Sequence, residues 1–166
     1  LNDMGTLTVM DSEISNNIAV RAGGGIEENS MMGSLLTLTN ITLSGNSTGA
    51  APGNGGGLHI TGPGNSNITG GIVSMNDAAR EGGGLWNGSG IMTIDAVIID
   101  SNTATGAGAD DGGAGIFNNG GTLNVINGTI VSNNIASGAS ASGGGLLSTT
   151  GDVTVTDSTF DGNSAN

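Results

Sequence analysis

Apolar and polar residues alternate in short segments that recur through the chain. Residues 35–39, 91–94 and 123–126 are clear examples, in which Leu, Ile or Val is separated by Thr, Asn or Met. Alternation with a period of two is typical of β-strands that bury one face. No segment keeps a 3.6-residue period over the length of a helix, and Gly, Asn, Ser and Thr dominate. The pattern therefore predicts an all-β chain of short strands.

These segments belong to a repeat. Each repeat has a glycine cluster and an aliphatic residue, then an alternating strand, an Asp or Asn at a turn, and an Asn three positions after an apolar residue. The closing Asn residues are Asn17, Asn46, Asn76, Asn102, Asn134 and Asn163, spaced 26 to 32 residues apart. A period of about 29 residues with three short strands per unit predicts a single-stranded parallel β-helix of about six coils.

The period runs through residues 1–166 and predicts one domain. The predicted units are 1–22, 23–54, 55–81, 82–111, 112–142 and 143–166, the first without its glycine cluster. We expect right-handed coiling, because parallel crossovers favour that hand. Coils about 4.8 Å apart would make a rod roughly 29 Å long.

Stacked coils place equivalent residues in columns, which predicts a structural role for the repeated residues. The closing Asn residues should pass side-chain amide hydrogen bonds from coil to coil. Glycines should allow positive φ and close backbone approach at one corner. The predicted corner glycines are Gly23, Gly24, Gly25, Gly55, Gly56, Gly57, Gly82, Gly83, Gly84, Gly112, Gly113, Gly115, Gly143, Gly144 and Gly145. The predicted strand centres are Val9, Leu38, Ile68, Ile94, Val125 and Val155.

The charge balance limits the possible partners. The formal net charge is −12, Arg21 and Arg80 are the only basic residues besides His59, and there is no cysteine. Nucleic-acid binding draws its affinity from Lys and Arg, so it is excluded as a function. The sequence offers neither a disulfide framework nor a Cys-ligated zinc site. No apolar run approaches the length of a bilayer span, which predicts no direct membrane insertion.

One acidic pair is a candidate metal site. Asp110 and Asp111 precede a glycine pair, and carboxylates with loop carbonyls are suitable Ca²⁺ ligands. The calcium-binding nonapeptide signature is absent, so the alternative is a plain acidic loop. We expect no other cofactor.

The remaining polar candidates have structural interpretations beside the chemical ones. Asp11, Asn40, Asn127 and Asp157 occupy turn positions where Asx side chains bond their own backbone. Arg80 is expected to pair with Asp77 and Glu81 in a solvated loop.

His59 and Trp86 alternate with apolar neighbours and are expected on the outer surface, Trp86 either as a sugar-stacking platform or packed at an edge. The adjacent Glu27 and Glu28 are expected in an exposed turn.

A family resemblance rests on two short motifs. Residues 143–146 are Gly-Gly-Gly-Leu, and residues 160–163 are Phe-Asp-Gly-Asn; the other units carry weaker forms with Ile, Leu or Val in place of Phe. This pairing resembles the repeat of the polymorphic outer membrane proteins and related secreted β-helix surface proteins. The resemblance implies a bacterial cell-surface or secreted passenger segment that acts as an adhesin or stalk.

Three functions are consistent with the sequence. The leading hypothesis is a non-catalytic, extracellular structural or adhesin-type module at the cell surface. Its partners would be neighbouring β-helix segments or further copies end to end, and surface glycans or proteins. The second is a filament subunit that stacks head to tail, because the ends of a β-helix are open strand edges. The third is a polysaccharide-binding or polysaccharide-degrading β-helix, although a lyase needs clustered carboxylates with a basic residue.

Overall fold

The chain winds into a parallel β-solenoid. A computed structural model describes residues 1–50 and 52–166, and every strand pair in it is parallel. The strands form one 14-stranded and one 6-stranded sheet. The predicted parallel β-helix is confirmed, whereas its right-handed coiling stays a prediction. None of the described elements is a helix long and apolar enough to cross a membrane.

The strands fall into six stacked layers. The first holds β1 Asn2–Asp3, β2 Leu7–Met10, β3 Glu13–Ser15 and β4 Ile18–Ala19; the second holds β5 Ile26–Asn29, β6 Leu35–Ser44 and β7 Ser47–Thr48. The third holds β8 Leu58–Thr61, β9 Asn65–Ser74 and β10 Asp77–Ala78; the fourth holds β11 Leu85–Asn87, β12 Ile91–Asp95, β13 Ile98–Asp100 and β14 Thr103–Ala104. The fifth holds β15 Ile116–Ile126, β16 Ile130–Ser132 and β17 Ile135–Ala136; the sixth holds β18 Leu146–Val155, β19 Thr159–Asp161 and β20 Ser164–Ala165.

The coil count needs a small correction. The chain makes about five turns rather than six, because the first layer begins after its glycine corner and the sixth layer is a partial turn. Three strands per coil hold in four layers, but the first and fourth have four. In the fourth layer, Ala96 has φ 55° and interrupts the long strand between β12 and β13.

The inner face consists of in-register apolar columns. The predicted strand centres Val9, Leu38, Ile68, Ile94, Val125 and Val155 face one another directly. A second column is Ile14, Leu43, Val73, Ile99, Val131 and Phe160, and a third is Ile26, Leu58, Leu85, Ile116 and Leu146. The members in the middle layers are buried, whereas Val155 and Phe160 in the last layer are 46% and 38% exposed.

The six closing Asn residues form the predicted asparagine ladder. The backbone N–H and the Nδ2 of Asn76 both donate to Asn102 Oδ1, at 3.0 and 2.9 Å. Asn102 donates in the same way to Asn134 Oδ1, and its Nδ2 also donates to the Val73 carbonyl oxygen at 3.0 Å. The other steps repeat this geometry. Each of the four inner amides is therefore hydrogen-bonded to the coils on both sides of it.

The ladder has a direction. Each Asn except the last donates to the Oδ1 of the next Asn toward the C-terminal end. From the second coil onward, Nδ2 also donates to a strand carbonyl oxygen of the preceding coil. It begins with an acceptor, Asn17 Oδ1, and ends with donors, the N–H groups of Asn163. A further coil on either end could continue the ladder.

The glycine corner brings neighbouring coils closer than a side chain allows. Gly82 has φ 65°, a left-handed conformation that glycine adopts without strain. A Cβ on Gly84 would lie 2.6 Å from the Gly115 carbonyl oxygen and 3.2 Å from Asn102 Cγ. In the fifth coil, Ala114 occupies the place of the middle glycine and is fully buried. This corner therefore packs directly against the asparagine ladder.

The four predicted Asx turn residues lie at left-handed turns but bond differently from the prediction. Asp11, Asn40, Asn127 and Asp157 have φ between 47° and 55°. Asn40 Nδ2 donates to Asp11 Oδ1 of the preceding coil at 2.8 Å, and Asn127 Nδ2 donates to Asp95 Oδ1 of its preceding coil at 3.0 Å. These side chains connect coils because parallel stacking places one turn directly above another.

Removing one ladder amide should destabilise the whole solenoid. Asn102→Ala leaves the buried N–H of Asn76 without an acceptor, so we expect a loss of about 3 kcal/mol in the free energy of unfolding. Urea unfolding measures it. The control is Asn67→Ala, because Asn67 is an exposed residue of β9. Equal stability of the two variants would show that the ladder is dispensable.

Two glycine substitutions separate close packing from backbone strain. Gly84→Ala should cost about 3 kcal/mol by overpacking. Gly70→Ala should cost only about 1 kcal/mol, because Gly70 has φ 62° but nothing lies within 4 Å of its added Cβ. Thermal unfolding of both variants tests this, and a larger loss for Gly70→Ala would contradict it.

Candidate functional site at the glycine corner

The largest polar and aromatic side chains of the outer surface gather beside the glycine corner. Five residues in equivalent positions, two after the cluster, form a column that we call the outer column. It consists of Glu27, His59, Trp86, Phe117 and Leu147. The corner preceding each strand folds back over it: a Cβ on Gly82 would lie 3.0 Å from Trp86 Cβ. The outer column is therefore a second, smaller buried layer.

Aromatic rings stack along this column. The His59 and Trp86 ring centroids are 4.3 Å apart, and the Trp86 and Phe117 rings are nearly parallel with centroids 6.0 Å apart. His59 is 3% exposed, Trp86 7% and Phe117 2%. The predicted surface position of His59 is therefore wrong, and Trp86 is packed rather than free as a sugar platform. Sequence alternation placed both side chains on the outer face but did not indicate what covers that face.

Two acidic residues lie beside the stack. Trp86 Nε1 donates to Glu81 Oε2 at 3.0 Å, and Arg80 Nη2 lies 3.4 Å from Glu81 Oε1. Arg80 also donates to Asp111 Oδ1, from Nε at 3.1 Å and from Nη2 at 2.8 Å. The expected partnership with Glu81 is present, but the other partner is Asp111 of the next coil rather than Asp77.

The two carboxyl groups have opposite pKa shifts. Burial disfavours the charged form of Asp111, but the Gly108 N–H and the Arg80 guanidinium outweigh it, so the Asp111 pKa lies below its ordinary value of 3.8. At Glu81, burial outweighs the stabilisation from Trp86 and Arg80, so the pKa lies above its ordinary value of 4.5. The surroundings thus shift the pKa values of both carboxyl groups. Such shifts are common both in functional sites and in structural ion-pair networks.

The N-terminal end of the outer column has its own charged cluster. Burial raises the pKa of Glu27, but His59 at 3.3 Å and Arg21 at 3.7 Å outweigh it and leave the Glu27 pKa lowered. Glu28 is 1% exposed, and its Oε2 accepts Asn2 Nδ2 at 2.6 Å. The predicted exposed turn at Glu27 and Glu28 is therefore wrong: these residues belong to strand β5.

The side chains of Asp110 and Asp111 do not form the calcium ligand set that the sequence predicts. Asp111 Oδ1 is taken by Arg80, and Oδ2 accepts the Gly108 N–H at 2.9 Å. Asp110 is exposed. No group of three or more His, Cys, Asp or Glu side chains suited to a metal ion occurs in residues 1–50 and 52–166. The positive charge beside the Asp111 carboxylate is the Arg80 guanidinium.

The structure contains a second amide ladder that the repeat pattern did not predict. Asn87 Nδ2 donates to Asn118 Oδ1 at 2.8 Å, and Asn118 Nδ2 donates to Ser148 Oγ at 3.1 Å. Asn87 and Asn118 are fully buried. Asn87 and Asn118 each stand three residues after the last glycine of their cluster. This shared spacing indicates a column of Asn residues, but it recurs in only two coils.

No family model, curated protein or solved structure matches this chain. The resemblance to polymorphic outer membrane protein repeats therefore stays a prediction.

Loss of the Asp111 carboxylate should destabilise the chain in a pH-dependent way. Asp111→Asn removes the ion pair between the buried Asp111 and the half-exposed Arg80, so we expect a loss of about 1 kcal/mol near neutral pH. A lowered folded-state pKa stabilises the fold above the ordinary value of 3.8, and this stabilisation is lost as the pH falls through the lower folded-state value.

Urea unfolding across this pH range tests the sign. The control is Asp110→Asn, which changes the same charge at an exposed neighbour. A gap between wild type and Asp111→Asn that stays constant into strong acid would contradict the ion-pair assignment.

Proposed function

We propose that this chain is a non-catalytic structural segment, of adhesin or stalk type, in an extracellular bacterial surface protein. The observation that carries the proposal is the asparagine ladder, which connects all six layers and whose four inner amides are buried. A ladder of this kind fixes the relative position of successive coils. Fixed coils form a stiff rod from which surface loops project.

Several polar side chains that could have supplied chemistry are instead engaged by neighbouring side chains. Asp111 is held by Arg80, and Asn118 is held by Asn87 and Ser148. Glu81 is held within its own coil by Trp86. These contacts favour a structural role, because detaching the side chains to handle a substrate would leave buried partners unpaired.

The charge supports a surface setting. With a formal net charge of −12, neighbouring rods repel one another laterally, which favours solubility at high local density. The same charge disfavours adsorption to anionic surfaces.

One observation favours the filament alternative. The ladder offers an acceptor at Asn17 and donors at Asn163, so the two ends are complementary. The apolar columns match as well: Val9 and Ile14 are the counterparts of Val155 and Phe160. A second copy stacked head to tail would continue both.

Negative-stain electron microscopy of the purified chain at low and high concentration tests the proposal. Short separate rods at both concentrations are the expected result for a structural segment. Long fibres of uniform width would replace it with the filament alternative. An antibody raised against the rod should label intact cells of the source organism, and labelling only after lysis would contradict the surface location.

A test for catalysis completes the experiment. The purified chain is incubated with a panel of acidic and neutral polysaccharides, and new reducing ends or unsaturated products are measured. The proposal predicts none above a heat-denatured control. Turnover that is lost in a Glu81→Gln variant, whose Gln can still accept from Trp86, would overturn the non-catalytic assignment.

A further inference from the structure

Methionine is unusually exposed in this chain. Five of its six methionines are exposed: Met4 58%, Met10 55%, Met31 49%, Met32 84% and Met75 64%. The sixth, Met92, is fully buried in the core. Three of the exposed side chains, Met4, Met31 and Met32, line one cleft of about 230 Å³ together with Gly5, Thr6, Gly33 and Ser34. Three exposed methionine residues thus share one cleft.

Hydrogen bonds fix the backbone at Met4 and Met31. The Met4 N–H donates to the Asn29 carbonyl oxygen at 2.8 Å, which sets Met4 of the first coil beside the start of the corner in the second. In that corner the Met31 N–H donates to Ser34 Oγ, and the Ser34 N–H donates to the Met31 carbonyl oxygen, both at 3.0 Å. The turn is held at its base while the unbranched methionine side chains stay adaptable.

The corner that carries Met31 and Met32 is longer than its counterpart. Asn29 pairs with Thr61 and Leu35 pairs with Asn65, so residues 30–34 in the second coil correspond to residues 62–64 in the third. The third coil closes this corner with Gly-Pro-Gly, and the fourth with Gly-Ser-Gly at 88–90. The two additional residues bring methionines to the cleft that Met4 already lines. Core packing does not require them, because they stand on the surface.

Three thioethers in one cleft are suited to a particular class of ion. Thioether sulfur is a soft, uncharged donor that favours copper(I) and other soft cations over the hard cations calcium and magnesium. The chain has no cysteine to compete for such an ion, and its one histidine is buried in the outer column. The overall charge of −12 raises the local concentration of any cation.

We propose that Met4, Met31 and Met32 form a binding site for a soft monovalent cation, copper(I) or silver(I), with the three sulfurs as ligands. The site is independent of the structural function proposed above, and binding involves no change in oxidation state. Each sulfur donates a lone pair, and the flexible side chains close around the ion.

Methyl NMR of the full chain labelled with [ε-¹³C]methionine tests the site. The probe is silver nitrate in a chloride-free buffer. We expect the methyl signals of Met4, Met31 and Met32 to shift together and saturate at one equivalent, while those of Met10, Met75 and Met92 stay in place. A second arm uses copper(I), kept reduced by ascorbate, in competition with a copper(I) chelator; it shows whether the site takes both ions or silver alone.

Matched variants make the result specific. Met31→Leu with Met32→Leu conserves side-chain volume and should weaken silver binding at least about tenfold. The control, Met10→Leu with Met75→Leu, removes two equally exposed sulfurs and should bind like wild type. Thermal unfolding should show all three proteins equally folded.

Three outcomes would overturn the proposal. They are no methyl shift, equal shifts at all five exposed methionines, and a Met31→Leu, Met32→Leu variant that binds as tightly as wild type. The second would show non-specific association with exposed thioethers, and the third would place the ion elsewhere.

Discussion

The buried amide of the asparagine ladder is the constraint on which the other columns depend. Each ladder Asn satisfies the backbone N–H of the previous coil and the carbonyl oxygen of a strand, so its position cannot drift between coils. With that point fixed, the strands before it must stack in register, and their alternate residues must form continuous apolar columns. The segments after it are free of this constraint, and they contain most of the length variation in the repeat.

The glycine corner adds a second layer of burial outside the solenoid. Because Gly82 has a positive φ and no side chain, the corner can fold tightly against the outer face of the strand that follows. Trp86 and Phe117 then pack under it instead of facing water. The charged groups at the edge of this layer, Arg80 and Asp111, connect one coil to the next. The polar and apolar contacts of this layer thus run along the solenoid axis, as do the backbone hydrogen bonds between successive coils.

The repeat allowed much of this to be predicted from the sequence. The ladder residues, the inner columns and the parallel stacking follow from residues that recur at a fixed phase, because stacking converts sequence period into spatial contact. His59, Trp86 and Glu28 could not be placed in this way. Alternation assigns a side chain to a face, but whether that face meets water depends on the path of the preceding corner. The pairing of Arg80 with Asp111 was missed for a related reason, since nearness in sequence favoured Asp77.

The parallel arrangement also determines how the rod responds to mechanical load. Main-chain and ladder hydrogen bonds run along the axis, and the two termini lie at opposite ends, so tension between the termini loads the coils in series. An end coil has one neighbour, whereas an inner coil has two, and the ends therefore detach first. Each detached coil releases about 29 residues, or roughly 100 Å of extended chain. Under tension the molecule would lengthen in steps, one coil at a time, while the remaining coils keep their packing.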